Sequence, residues 1–163
     1  MTDIDKDKQD SIYGQAVRLH EDRSYDQAFV LFKQLAENGY ADGCSMLATM
    51  YGAGLGTEFD LEASIAWDLK AIELGSLTSV YNLGVTHRGR GNCREARKWF
   101  EKSIASGDGD AMLELAKLLD VSDHETPQVI DLLMRAMSSR HITEDSREEA
   151  EVLLNEISNR PPI

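Results

Sequence analysis

The chain is poor in the residues that usually announce chemistry. Two cysteines, Cys44 and Cys93, stand far apart in 163 residues. In a reducing compartment they are expected as free thiols. Four histidines, His20, His87, His124 and His141, share no ligand spacing, so no metal site or other cofactor is expected. No G-x-S-x-G elbow presents a nucleophile. The glycines at 52, 54 and 56 lack the lysine and preceding strand of a phosphate loop. Basic residues are scarce: 17 Lys and Arg face 29 Asp and Glu, for a formal net charge of -12. Nucleic acid and anionic membranes select basic surfaces, so neither is expected as a partner. A basic protein is what such a charge would steer. No apolar run approaches the roughly 20 residues of a membrane helix. The opening MTDIDKDKQD has no apolar stretch of a secretory signal, and a cytoplasmic location is expected.

What is present is helical periodicity. Ile12, Tyr13, Ala16, Val17 and Leu19 suit an amphipathic helix from about Gln9 to Glu21, after a lead-in over residues 1–8 expected to fray. Ala28, Leu31, Phe32 and Leu35 form the stripe of a second helix. Ser24 with Gln27 has capping-box spacing at its start, and Gly39 stops it. LATMYGAGLGTEFDLEASIAWDLKAIELG, residues 47–75, reads as two helices joined by a glycine-rich turn, the second capped by Asp60 and stopped by Gly75. A third pair carries Leu83, Gly84 and His87, then Ala96, Trp99, Phe100 and Ile104, with Asn92 and Glu95 spaced as a cap. A fourth uses Met112, Leu115, Ala116 and Leu119, then restarts at Thr126-Pro127 with Val129, Leu132, Leu133 and Met137. The methionines, Met134 among them, read as core filling. A final helix over 146–158, capped by Ser146 with Glu149, covers the last pair. No alternating pattern is long enough for a strand, so the fold class is all-α.

The pairs keep a common register. Gly39, Gly75 and Gly107 lie 36 and 32 residues apart, and Arg140 occupies the glycine's place 33 further on. Eleven residues before each stop sit Ala28, Ser64, Ala96 and Val129. Eight before sit Leu31, Trp67, Trp99 and Leu132. In the first helices Tyr13, Leu47, Leu83 and Leu115 align, each followed by Gly or Ala. A two-helix period in the low to middle thirties predicts an α-solenoid, in which neighbours bury what no single pair can.

Residues 47–75 closely resemble a Sel1-like repeat, at Leu47, Tyr51, Gly54, Gly56, Asp60, Trp67, Lys70, Ala71, Glu73 and Gly75. The third pair matches at Leu83, Gly84, Gly89, Ala96, Trp99, Lys102 and Gly107. The outer pairs sit closer to the related tetratricopeptide pattern, and the fourth has Asp123-His124 where the glycine loop would be. The resemblance covers residues 10 to 140. It implies one domain over residues 1–163: a right-handed α-solenoid of about four repeats plus a capping helix. It also implies a non-catalytic module that binds a protein or peptide segment in a concave groove. The first helix of each pair would line that groove through positions about two before and two after the leucine. These are Ser11, Gln15 and Arg18; Ser45 and Thr49; Tyr81, Val85 and Arg88; Leu113 and Lys117. Tyr81 and Arg88 are the residue types that most often anchor interfaces. Two alternatives stay open: an immunity or inhibitor protein neutralising a basic toxin, and an enzyme with a site built between repeats. A monomer or weak homo-oligomer fits either.

Overall fold

A computed structural model of the chain describes residues 3–122 and 126–160. Among these residues there are nine helices: α1 Asp3–Glu21, α2 Tyr25–Glu37, α3 Ala41–Ala53, α4 Leu61–Glu73, α5 Thr78–Gly89, α6 Cys93–Ile104, α7 Gly109–Ser122, α8 Thr126–Ser138 and α9 Glu144–Ser158. No strand occurs among them, only an isolated bridge between Asp108 and His141. Asp123-His124 and the proline tail from Pro161 lie outside the described residues. The chain divides into two compact units, Met1–Ser79 and Val80–Ile163.

In the first unit α1 packs on α2, α2 on α3 and α3 on α4. Its core holds Ala28, Phe32, Leu35, Leu47, Met50 and Ala71, with Tyr13, Phe29, Tyr51 and Trp67 partly buried against it. Tyr13 meets Phe32 edge-on at 5.9 Å, and Phe29 meets Tyr51 at 5.3 Å. In the second unit α5 packs on α6 through Tyr81 and Phe100, whose rings lie 6.1 Å apart. There α6 packs on α7, α7 on α8 and α8 on α9. Phe100, Leu113, Leu119, Val129 and Leu133 are fully buried there. Within each unit the helices pack on their neighbours in sequence, as an all-α solenoid requires.

The repeat columns have physical meaning. Ala28, Ser64, Ala96 and Val129 are all buried, because only a short side chain fits where the paired helices cross. The small residue after Leu83 works the same way: a Cβ on Gly84 would lie 2.5 Å from the Phe100 ring, so glycine lets that ring close on α5. Gly14, in the same column, has open space around it. In the glycine loop, Gly56 has φ +67, and a Cβ there would stand 2.3 Å from the Tyr25 carbonyl oxygen. Only glycine lets this loop lie against the start of α2.

Helix ends account for most departures from expectation. Gly39, Gly75 and Gly107 are left-handed, and the residues after the first two donate five residues back, Tyr40 N–H to Leu35 O at 3.0 Å and Ser76 N–H to Ala71 O at 2.9 Å. Arg140 does not repeat that conformation. The end of α8 is satisfied from α9 instead, where the Arg147 guanidinium donates to the carbonyl oxygens of Met137 and Ser139. Asp60 caps α4, its carboxylate accepting from Ala63 N–H at 2.9 Å. Ser24 and Asn92 hold cap positions but make no side-chain cap bond. The expected Asn92–Glu95 box gives way to an ion pair of Glu95 with Lys98 at 2.7 Å. Helix α9 starts two residues earlier than expected. Its cap is Thr143, not Ser146: the threonine hydroxyl oxygen accepts from Ser146 N–H at 3.3 Å. Helix α1 likewise takes in residues 3–8, which were expected to fray.

Candidate functional site

Four helices begin a pair, α1 and α3 in the first unit and α5 and α7 in the second, and α9 follows the last pair. On α1, Gln15 and Arg18 are exposed, as is Thr49 on α3. The Thr49 hydroxyl donates to the Ser45 carbonyl at 3.1 Å. Ser45, expected on the open surface, is buried. Its hydroxyl bonds those of Ser76 at 2.9 Å and Ser79 at 2.8 Å, tying α3 to the chain that follows α4. Leu113 is likewise not on the surface: it is 1% exposed, in the core of the second unit. The position two before the leucine is exposed at Ser11, buried at Ser45 and Leu113 and half-buried at Tyr81. The position two after it, Gln15, Thr49, Val85 and Lys117, stays exposed or half-exposed.

The second unit gathers the remaining expected residues around one carboxylate. Glu114 on α7 is buried, and it pairs with Arg88 on α5 and with Lys117 Nζ at 2.9 Å. Lys117 Nζ also reaches Glu149 on α9 at 2.9 Å. Three helices are thereby linked by alternating charges, each bond strengthened by ionisation of both partners. A buried carboxylate costs several kcal/mol in desolvation unless paired, of order 3–5 kcal/mol if a partner is lost. Glu114 therefore fixes where Arg88 and Lys117 sit. Beside them Tyr81 is half-buried. Burial, and then the nearby Asp110 and Asp108, hold its hydroxyl above the ordinary phenol range. It stays a neutral hydrogen-bond donor at physiological pH. Val85 packs partly against the core. The face offers a phenol, an apolar patch and two cations whose charge is already balanced.

Glu114 and Glu149 were not among the expected site residues. A signal existed for Glu149. Side-chain partners on successive first helices recur about one repeat apart: Lys117 with Glu149, 32 residues; Ser45 with Ser79, 34; and the Asp110 carboxylate accepting from the Thr143 hydroxyl at 2.9 Å, 33. Scanning for complementary polar residues one period apart would have found Glu149; Glu114, 26 residues from Arg88 and three from Lys117, lies off the repeat spacing.

Elsewhere, Trp67 and Trp99 are half-buried. Lys102 Nζ lies 5.0 Å from the Trp99 ring centroid. Cys44 is a buried free thiol and Cys93 an exposed one. Among the described residues no three His, Cys, Asp or Glu side chains group as a metal site. No described helix is long and apolar enough to cross a membrane.

The sequence pattern of the Sel1 repeat matches residues 13–40, 41–76 and 78–108. The chain belongs to the Sel1 repeat family. Members of this family are generally protein–protein interaction modules and typically non-catalytic scaffolds. Chitin synthase regulatory factor 4 of Schizosaccharomyces pombe is 32% identical over 98 residues, 58% of this chain and 15% of that protein. Among solved structures, a Sel1 repeat protein from Oxalobacter formigenes superposes with a TM-score of 0.76 at 18% identity, over 96% of this chain and 66% of the other. A protective antigen of uropathogenic Escherichia coli with an SLR fold gives 0.67 at 28% identity, over 80% of this chain and 28% of the other. The chain thus spans less than two thirds of each.

Proposed function

We propose that this Sel1 repeat protein is a non-catalytic module of the cytoplasm that binds a protein segment on the face of α5, α7 and α9. The observation that carries this reading is the Tyr81–Val85–Arg88 row of α5, beside a Glu114–Lys117–Glu149 array that holds the charges in place. A rigid phenol and a fixed guanidinium beside an apolar patch lose little conformational freedom on binding, which is what makes such residues interface anchors. The family supports the class of function.

The test is recovery of the native partner from cells by tagged protein, with Tyr81→Ala, Val85→Asp and Arg88→Ala compared against the unchanged chain and thermal melts confirming the fold. Loss of about 2 kcal/mol at an anchor weakens binding roughly 30-fold, so recovery is expected to collapse for Tyr81→Ala. Undiminished recovery with all three variants would remove the site.

A second reading is an inhibitor of a basic protein. The observation behind it is the -12 charge, with six basic and fourteen acidic residues in residues 1–79 alone. That reading requires association to weaken steeply with salt. A salt-insensitive complex would dismiss it.

A further inference from the structure

The fourth repeat breaks the glycine column with Arg140, and the broken position borders a hollow. This hollow, about 620 Å³ and open on one side, lies in the second unit against α8. Its lining includes Met112, Asp131, Met134, Arg135, Arg140 and His141. Three features of these residues go beyond what the fold requires.

The first is the arginine itself. In the earlier repeats a left-handed glycine closes the helix, whereas at α8 Arg147 supplies that closure. Arg140 is therefore not needed for capping, and it is exposed. No described carboxylate pairs with it. The second is Met134. A core role was expected, yet it is 57% exposed, and it lines the hollow with the nearly buried Met112. Methionine surfaces adapt to differently shaped apolar side chains. The third is the local sign of charge. In a chain of net charge -12, this hollow has two arginines and an exposed histidine against one carboxylate, Asp131, which pairs with Arg135 at 3.2 Å.

We infer that the hollow docks a short acidic segment of a partner protein, separate from the face of α5, α7 and α9. An apolar side chain of the segment rests on Met112 and Met134. A carboxylate one or two residues away is held by the Arg140 guanidinium, whose planar fork matches carboxylate geometry, with Arg135 beside it. An open hollow of this size takes one or two side chains of an extended segment; a small ligand that must be mostly enclosed would stay largely in water.

The test begins with a random dodecapeptide display library panned against the full chain. Enriched peptides are then measured by fluorescence anisotropy on the chain and on Arg140→Glu, Met134→Glu and Lys33→Glu, the last placing the same charge change on α2. Melting curves confirm each fold; all three side chains are exposed. The expected consensus places Asp or Glu within two residues of Leu, Ile, Met or Phe. Affinity is expected to fall at least tenfold in Arg140→Glu and in Met134→Glu, to weaken with salt, and to be unchanged in Lys33→Glu. Four results would overturn the inference: no enrichment, a basic consensus, acidic peptides indifferent to Arg140→Glu, or equal competition by polyphosphate or an RNA oligonucleotide. Self-association abolished by Arg140→Glu would assign the hollow to a second copy and overturn it too. None of these readouts depends on Tyr81 or Val85, so the two sites fail or stand separately.

Discussion

Hydroxyls and aromatic rings join the helices of the first unit; charges, beside the Tyr81–Phe100 ring pair, join those of the second. In residues 1–79 the contacts between helices include the Tyr13–Phe32 and Phe29–Tyr51 ring pairs and the Ser45–Ser76–Ser79 cluster. In residues 80–163 Glu114, Lys117, Arg88 and Glu149 take that role, with Arg160 clamping Asp120 through two bonds at 2.6 and 2.8 Å. The repeat rule fixes which positions meet and leaves the chemistry of the meeting free. The second unit places long charged side chains where the first uses short ones, and these raise the patterned surface on which binding is proposed.

The comparison can be broken most forcefully in the cores. Phe32→Ala and Phe100→Ala each empty a fully buried ring site and are expected to cost about 3–5 kcal/mol. Hydrogen exchange should show Phe32→Ala loosening residues 1–79 first and Phe100→Ala residues 80–163. Uniform loosening by either would deny that the units are separately compact.

Next in size is a contrast within one column. Gly84→Ala forces a methyl group against the Phe100 ring and is expected to cost about 1–3 kcal/mol. Gly14→Ala meets open space inside a helix and is expected to stabilise by about 0.5–1 kcal/mol. Chemical denaturation measures both; equal signs would mean that the column does not do different work in the two units.

The joining chemistries separate by salt. Ser45→Ala strands the buried Ser79 hydroxyl and leaves Ser76 only the Ser79 N–H at 3.3 Å, and Glu114→Gln weakens two charge pairs, each for about 1–2 kcal/mol. Added salt should shrink the second loss and leave the first unchanged. The smallest expected effect is at alkaline pH. Burial and the hydrogen bond to Asp10 at 2.6 Å hold the Tyr40 hydroxyl well above its usual 10.0, and burial with nearby carboxylates raises Tyr13 and Tyr81. Above pH 10.0 the folded chain keeps protons that the unfolded chain gives up, so the stability present below that pH declines as pH rises further. Denaturant midpoints between pH 9 and 11 would detect it, and Tyr40→Phe should flatten the slope.

The architecture was legible because its signals are redundant. Ala28, Ser64, Ala96 and Val129 report one helix crossing four times over, and all four are buried. The first-helix face was legible only in part. Stepping two residues along a helix turns a side chain by about 200°, so Ser45 and Leu113 passed from the expected open surface into contacts with neighbours. Which side of the leucine stays open depends on how closely the next helix lies, and no single repeat encodes that. The caps failed for a similar reason: Ser24 and Asn92 have the right residue type, but a cap bond needs a side-chain geometry that spacing does not specify. Met134 reads as core from its type, yet its helix face has no neighbour to cover it.

Hydroxyl-radical footprinting of the chain, free and in complex with the partner it retains from native cells, tests binding through the first helices most directly. Tyr81 and Val85 are predicted to oxidise more slowly in the complex, while Trp99, beside Lys102 on α6, oxidises at an unchanged rate. Equal oxidation of Tyr81 and Val85 in both states, with protection moved to Trp99, would contradict it.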